Sequence, residues 1–235
     1  MTGEDVGYSI PSHHTIRIIS TEMRDSVKDF VITAAKIFNM PEPIYEFGSY
    51  LVEGQIESAN MRHFFPGKEY VGCDMREGPG VDRILNLHNI ALEENTVGTV
   101  LCLDTLEHVE HPYRAIEEIH RVLKPNGMVI ISSVMNYPIH DFPCDYWRFT
   151  PEAFRSILKP FPNVYVNYAG EDNFPHTVVG IGCKGTDIHF EDFEAAGDDW
   201  RHRWTEPEPP KNFTGKLKRE TRRVYHQVSN LLKNN

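Results

Sequence analysis

Cysteine is sparse and unclustered in this chain. Cys73, Cys102, Cys144 and Cys183 are scattered through 235 residues with no Cys-x-x-Cys pair. A zinc ribbon or disulfide framework is therefore not expected, and a reducing compartment fits. Long apolar runs are missing too, and none reaches the length that a bilayer-spanning helix requires. The opening stretch, MTGEDVGYSIPSHH, is acidic and polar, unlike a signal or transit peptide. The expectation is a cytoplasmic protein. No internal repeat is visible. Two dinucleotide signatures are absent as well. Counted from Gly48, the second and third glycine places of Gly-x-Gly-x-x-Gly hold Tyr50 and Glu53, and no Tyr-x-x-x-Lys occurs anywhere. These absences argue against a nucleotide-sugar epimerase or dehydrogenase.

What is present suits one α/β domain with extensions. Hydrophobic residues make up 40% and charged residues 25% of the chain, an ordinary balance for a globular protein able to bury its own core. The formal charge of −10 is uneven. Residues 211–235 carry seven Lys and Arg against one acid, a net +6 that leaves −16 on the remainder. An acidic body argues against nucleic-acid partners, which demand cationic surface. The basic tail, with Leu217, Thr221, Val224, Val228 and Leu231 at spacings of four and three, suits a helix. Such a helix fits a membrane surface or anionic partner, another helix including its own copy in a homodimer, or a loosely docked solvated element.

Strand and helix signals alternate along the middle of the chain. Met23, Val27, Phe30, Val31, Ala34 and Phe38 have helical spacing within 21–38, and Met40-Pro41-Glu42-Pro43 stops that helix. Strands are expected at 44–47, 70–74, 81–85, 99–103 and 128–134, the fourth nearly all apolar as a doubly buried strand should be. A helix can open within 55–63. A second begins at Pro112 and ends in Lys124-Pro125-Asn126-Gly127. Thr150-Pro151-Glu152 has the composition of a helix start, with a hydroxyl cap, a first-turn proline and an acid near the positive end. Two closing strands fit 164–168 and 178–183. The expected division is an irregular lead at 1–19, a domain at 20–184, an acidic then proline-rich linker at 185–212 and a basic helix at 213–235. Alternating strands and helices imply a mostly parallel sheet with helices on both faces.

In such a sheet ligands bind beyond the carboxyl ends of the strands, near the switch in strand order. Three features converge there. Glu46-Phe47-Gly48-Ser49-Tyr50, with Gly54 beyond, turns tightly after the first strand, where a glycine permits close backbone approach. Asp74 closes the second strand, placed to accept from two ribose hydroxyls. Leu103-Asp104 closes the fourth. The loop lacks the bare amides of a pyrophosphate site. It suits a ligand carrying an amino group and a sulfonium, with Glu46 toward the former and the Tyr50 ring toward the latter.

The segments EFGSYLVEG, YVGCDMREGPGVD, LCLDTLEHVEHPYRAIEEIHRVLKPNGMVII and CDYWRFTPEAF resemble class I S-adenosylmethionine-dependent methyltransferases of the type 11 group. The resemblance runs from Glu46 to Phe154, and the third segment is its most specific part. It implies a Rossmann-like seven-stranded sheet whose last strand is antiparallel. The implied cofactor is S-adenosylmethionine, leaving as S-adenosylhomocysteine. Glu46, Gly48 and Gly54 then form the first cofactor loop, Asp74 holds the ribose and Met75 packs on the adenine. Asn86 and Leu87 lie at the adenine edge, Asn86 standing where the family usually has an acid, and Leu103 and Asp104 lie under the methionine portion.

His140 and Asp141, then His108, are the candidate bases for an acceptor hydroxyl; His108 equally suits a packing or capping role. Tyr146, Trp147 and Arg148 lie in the stretch after the fifth strand, where this fold often builds its acceptor pocket. His13, His14, His140 and Asp141 have the composition of a metal cluster but not its spacing, so no metal is expected. DYWRFTPE resembles methyltransferases associated with bacterial surface-glycan synthesis, which implies a carbohydrate or other small-molecule acceptor methylated on oxygen or nitrogen. A methyltransferase fold serving as a non-catalytic binding or assembly module is the alternative.

Overall fold

A computed structural model describes residues 24–53, 56–140, 144–185 and 190–205. The irregular lead, Gly54, Asp141, His13, His14 and the basic tail lie outside these residues. The elements run α1 (Asp25–Ile37), β1 (Ile44–Phe47), α2 (Ile56–Ala59), β2 (Tyr70–Asp74), β3 (Arg83–Ile84), β4 (Val97–Leu103), α3 (Pro112–Val122), β5 (Leu123–Val134), α4 (Pro151–Ile157), β6 (Asn163–Glu171), β7 (Phe174–Cys183) and α5 (Glu191–Arg203).

The strands form one seven-stranded sheet in the order β3-β2-β1-β4-β5-β7-β6. Pairing is parallel from β3 through β5, while β7 runs antiparallel to both β5 and β6. This is the Rossmann-like methyltransferase sheet expected of the chain, with its last strand reversed. β4 is buried at all seven positions because helices cover both faces. Its side chains alternate: Val100 and Cys102 join one core with Ile116 and Ile119 of α3 and Phe154 of α4. Leu101 and Leu103 join the other, with Phe30 and Val31 of α1 and Phe193 and Trp200 of α5. The period of two thus divides a single strand between two cores.

Local signals explain most boundaries. The Thr150 hydroxyl caps α4 by accepting from the Ala153 amide at 3.1 Å, and Pro151 fills the first turn, where no amide partner is required. The expected third strand shrinks to two residues at the sheet edge. α3 ends at Val122, before Lys124-Pro125-Asn126-Gly127; β5 already begins at Leu123, and Asn126 takes a left-handed φ of 63° within it.

Part of the expected linker is instead α5. Its sequence is mostly polar, but Phe193, Trp200 and Trp204 are buried against α1 and the sheet. The Trp200 indole donates to the Ser26 carbonyl at 2.8 Å, and that of Trp204 to Asp29 Oδ2 at 2.7 Å. Three aromatic side chains thus dock a helix whose other positions are polar.

Candidate active site at the carboxyl ends of the strands

The parallel register brings the expected cofactor residues level. Phe47 pairs with Cys73 on one side and Cys102 on the other, so Gly48, Asp74 and Leu103 leave their strands at the same end of the sheet. The strand order reverses between β1 and β4, which puts Gly48 at the switch point. Gly48 has φ +85°, and a Cβ there would stand 2.1 Å from Thr105 Oγ1. Both the left-handed turn and the close approach therefore require glycine.

The carboxylates at this end have different surroundings. Asp74 is part-buried, and its Oδ1 accepts from the Arg76 amide and guanidinium at 3.0 and 3.2 Å. Asp104 is chelated by Arg24, with Nε to Oδ2 at 3.0 Å and Nη2 to Oδ1 at 2.5 Å. The Ser132 hydroxyl also donates to Asp104 Oδ1, at 2.7 Å. Arg24 further reaches the His176 carbonyl at 2.9 Å and the Thr177 hydroxyl, tying the start of α1 to β7. Glu46 is buried, and its Oε2 accepts from the Tyr70 hydroxyl at 2.7 Å. Burial raises its carboxyl from 4.5 to about 7, opposed by that hydrogen bond.

Two expectations change on these contacts. The Tyr50 ring was expected toward a sulfonium. It lies instead against Gly78, with the Arg76 guanidinium 4.2 Å from its centroid, so a protein cation takes its face. Glu46 was expected toward an amino group, yet its recorded partner is a phenol beneath the loop. The loop itself is pulled toward the β2 side: the Ser49 hydroxyl donates to Gly80 O at 3.1 Å, and the Leu51 amide to Pro79 O at 2.8 Å.

These residues fit the adenosyl half of S-adenosylmethionine. Asp74 stands at the strand end with Oδ1 already oriented by its own turn. Beside it Met75 is 61% exposed, an apolar side chain without the burial its chemistry favours. Leu87 is buried and Asn86 exposed in the following loop, where Asn86 Oδ1 accepts from the His88 amide at 2.8 Å.

The stretch after β5 is organised around Asp145. Arg148 holds that carboxylate with two bonds, at 2.5 and 2.6 Å, and also donates to the Tyr137 and Pro138 carbonyls. The guanidinium holds the Asp145 carboxyl down to about 2. Arg148, expected at an acceptor, is thus engaged within its own loop. Tyr146 and Trp147 are exposed by 45% and 42%. Their amides donate to the Glu107 carbonyl, and the Trp147 indole donates to Val109 O at 3.0 Å. His108 and His140 meet edge to face with ring centroids 4.8 Å apart. Burial lowers the His108 pKa from its ordinary value. Arg24, Thr105, Glu107 and Asp145 take part in this end of the sheet, and Tyr70 reaches Glu46 from the start of β2, without having stood out in the sequence. For Glu107 a signal existed, an acid within one or two residues of Leu106 and Val109 in Leu106-Glu107-His108-Val109.

Comparison with known proteins agrees with this architecture. The profile of the family described as Methyltransferase domain matches residues 51–131. No curated protein sequence matches the chain. Among solved structures, the fold is similar to that of a S-adenosylmethionine-dependent methyltransferase from Archaeoglobus fulgidus, at 14% identity and TM-score 0.51, over 67% of this chain and 93% of that one. It is also similar to a possible histamine N-methyltransferase from Thermotoga maritima, at 18% identity and TM-score 0.50, over 68% and 89% of the two chains. Residues 51–131 thus resemble a methyltransferase domain, and the chain has the sheet seen in S-adenosylmethionine-dependent methyltransferases. No helix among the described residues is long and apolar enough to cross a membrane.

Proposed function

We propose that this protein transfers a methyl group from S-adenosylmethionine to an oxygen or nitrogen of a carbohydrate or other small molecule. The observation that carries this reading is the level placement of Asp74, Gly48 and Leu103 at the switch point of the sheet. Asp74 is assigned to the ribose hydroxyls, and Met75, Asn86 and Leu87 to the adenine. Glu46, Gly48, Leu103 and Asp104 form the floor beneath the rest of the donor. When bound, adenosylmethionine supplies a methyl group on a positively charged sulfur. The protein's main task is then alignment, which is worth on the order of 7–11 kcal/mol in favourable cases. A hydroxyl acceptor must also lose its proton, and the imidazole of His108 or His140 is assigned to take it. Tyr146 and Trp147, exposed beside these histidines, are assigned to the acceptor, and DYWRFTPE supports a sugar hydroxyl.

Isothermal titration with S-adenosylhomocysteine tests the reading. The parent should bind, and Asp74→Ala should weaken binding roughly a hundredfold, since two hydrogen bonds to a charged group are lost at about 1.5 kcal/mol or more each. Unchanged affinity would remove Asp74 from the site. A second reading, a non-catalytic binding module, is favoured by the Arg24–Asp104 clasp and by Thr105 packed on Gly48. Folded protein with no thermal shift in either S-adenosylmethionine or S-adenosylhomocysteine would sink methyl transfer and leave the module.

A further inference from the structure

Glu107 carries the one buried side-chain polar atom without a hydrogen-bond partner among the described residues. Its side chain is 1% exposed; Oε2 accepts from the Ser133 hydroxyl at 2.8 Å, while Oε1 has no partner. A buried polar oxygen with nothing to bind is costly, on the order of 1–3 kcal/mol. Two imidazoles stand beside it. One potential ligand atom from each of Glu107, His108 and His140 lies within 4.8 Å of the other two. Both rings are already oriented from behind. His108 Nδ1 is 2.7 Å from the Cys144 carbonyl, and His140 Nδ1 is 3.2 Å from the Pro138 carbonyl and 3.3 Å from Asp145 Oδ2. A carbonyl only accepts, so each Nδ1 donates, and in the neutral ring Nε2 carries the lone pair. Such backing is typical of metal-bound histidines, whose second nitrogen donates to a carbonyl or carboxylate.

We propose that Glu107, His108 and His140 form a binding site for a divalent first-row transition ion of the zinc or cobalt class. The donor set suits that class: imidazole and carboxylate ligands serve zinc, iron and cobalt, whereas magnesium and calcium take oxygen ligands. Ligands of a tetrahedral zinc stand about 3.3 Å apart at bonds near 2.0–2.1 Å, so side-chain rotations that bring the atoms together by on the order of 1 Å assemble the site. Three protein ligands leave a position for a water or an acceptor oxygen, as in catalytic rather than structural sites. The expectation that no metal takes part is thereby replaced. That expectation weighed His13, His14, His140 and Asp141, whereas Glu107 is the member whose burial makes an ion favourable. Metal binding stands without the methyl-transfer reading. Use of the ion to hold an acceptor oxygen rests on that reading, and the two Nε2 lone pairs then serve the metal instead of accepting a proton.

The test is a visible-absorption titration of the full chain with Co2+ after dialysis against chelator. The expected result is one equivalent bound with ligand-field bands, displaced by Zn2+. His140→Asn, at a part-exposed position, should weaken Co2+ binding at least about tenfold while leaving the metal-free Tm unchanged. Glu107→Gln should do the same to affinity; if it fails to fold, His108→Asn takes its place. Absence of stoichiometric Co2+ binding would overturn the proposal, and so would equal affinity in the parent and the histidine variants. The S-adenosylhomocysteine shift, measured on the metal-free chain, is read separately. Protein that takes Co2+ but not that ligand sinks methyl transfer and keeps the metal site. The reverse result does the opposite.

Discussion

The two sides of the sheet's carboxyl end treat their acids in opposite ways. On the β1–β2 side and over β4, Glu46, Asp74 and Asp104 are each engaged by a phenol, an arginine, or an arginine with a hydroxyl. Beyond β4 and β5, Asp145 is saturated by Arg148, but Glu107 keeps one oxygen bare among two imidazoles. The first region is closed by its own side chains and holds shape for a neutral or cationic ligand. The second contains a buried oxygen without a partner. The difference teaches that a buried acid without a partner is a better pointer to a missing ligand than an acid merely in the expected motif position.

The sharpest way to break the comparison is to strip a partner from a saturated acid. Arg148→Ala strips both guanidinium bonds from Asp145, whose side chain is 1% exposed, and leaves it only the His140 amide and ring. A loss of about 3–5 kcal/mol in urea unfolding is expected. A loss under about 1 kcal/mol would mean that the carboxylate finds water and is not saturated by Arg148 alone.

Glu46→Gln comes next, and its effect depends on pH. The folded carboxyl titrates near 7 against 4.5 when free. The folded state therefore binds the proton more tightly, so this group's stabilisation is complete below pH 4.5 and is lost as pH rises to about 7. Glutamine cannot ionise but still accepts from Tyr70. The variant should match the parent at acid pH and exceed it by up to about 3 kcal/mol at neutral pH. Parallel stability–pH curves would show that burial does not raise the Glu46 carboxyl.

Arg24→Ala should cost about 2–3 kcal/mol, because it opens the chelate on Asp104, itself part-buried. Calorimetric unfolding measures it, and a neutral result would mark the clasp as a surface ion pair. The smallest effect belongs to Glu107→Gln without metal. Burial raises the Glu107 carboxyl from 4.5 to about 8, so at neutral pH the amide replaces a largely protonated group and keeps an acceptor for Ser133; stability should stay within about 1 kcal/mol of the parent. A large loss would reveal a partner for Oε1 beyond the described residues.

The layout of strands was legible because its signals are local. Alternation, Pro112, and the Thr150 cap each act within a few residues, and the resemblance from Glu46 to Phe154 supplied the strand number and the reversed last strand. The pairings of side chains were not legible, because they join distant positions. Arg24 and Asp104 are 80 residues apart in sequence, and no local pattern at either position announces the other. Helix α5 was missed for a related reason. In Glu191–Arg203 most positions are polar, and docking rests on Phe193 and Trp200, with Trp204 just after, seven and four residues apart. Such a sparse apolar face yields no strong period, although two tryptophans four residues apart in an acidic stretch are hard to explain as linker. At the candidate site, Asp74 and Gly48 stood out through position, and His108 and His140 through chemistry. Their orientation, and the burial of Glu107, follow only from tertiary packing.

The docking of α5 also gives the molecule a built-in optical partition. Of its three tryptophans, Trp200 and Trp204 are sealed between α1 and the sheet, while Trp147 is 42% exposed beside the histidine pair. Emission from the sealed pair lies to the blue and follows loss of the fold. Emission from Trp147 lies to the red, is open to a soluble quencher, and follows events in the loop alone. One fluorescence spectrum can therefore separate rearrangement around Glu107 from unfolding of the domain without any attached label.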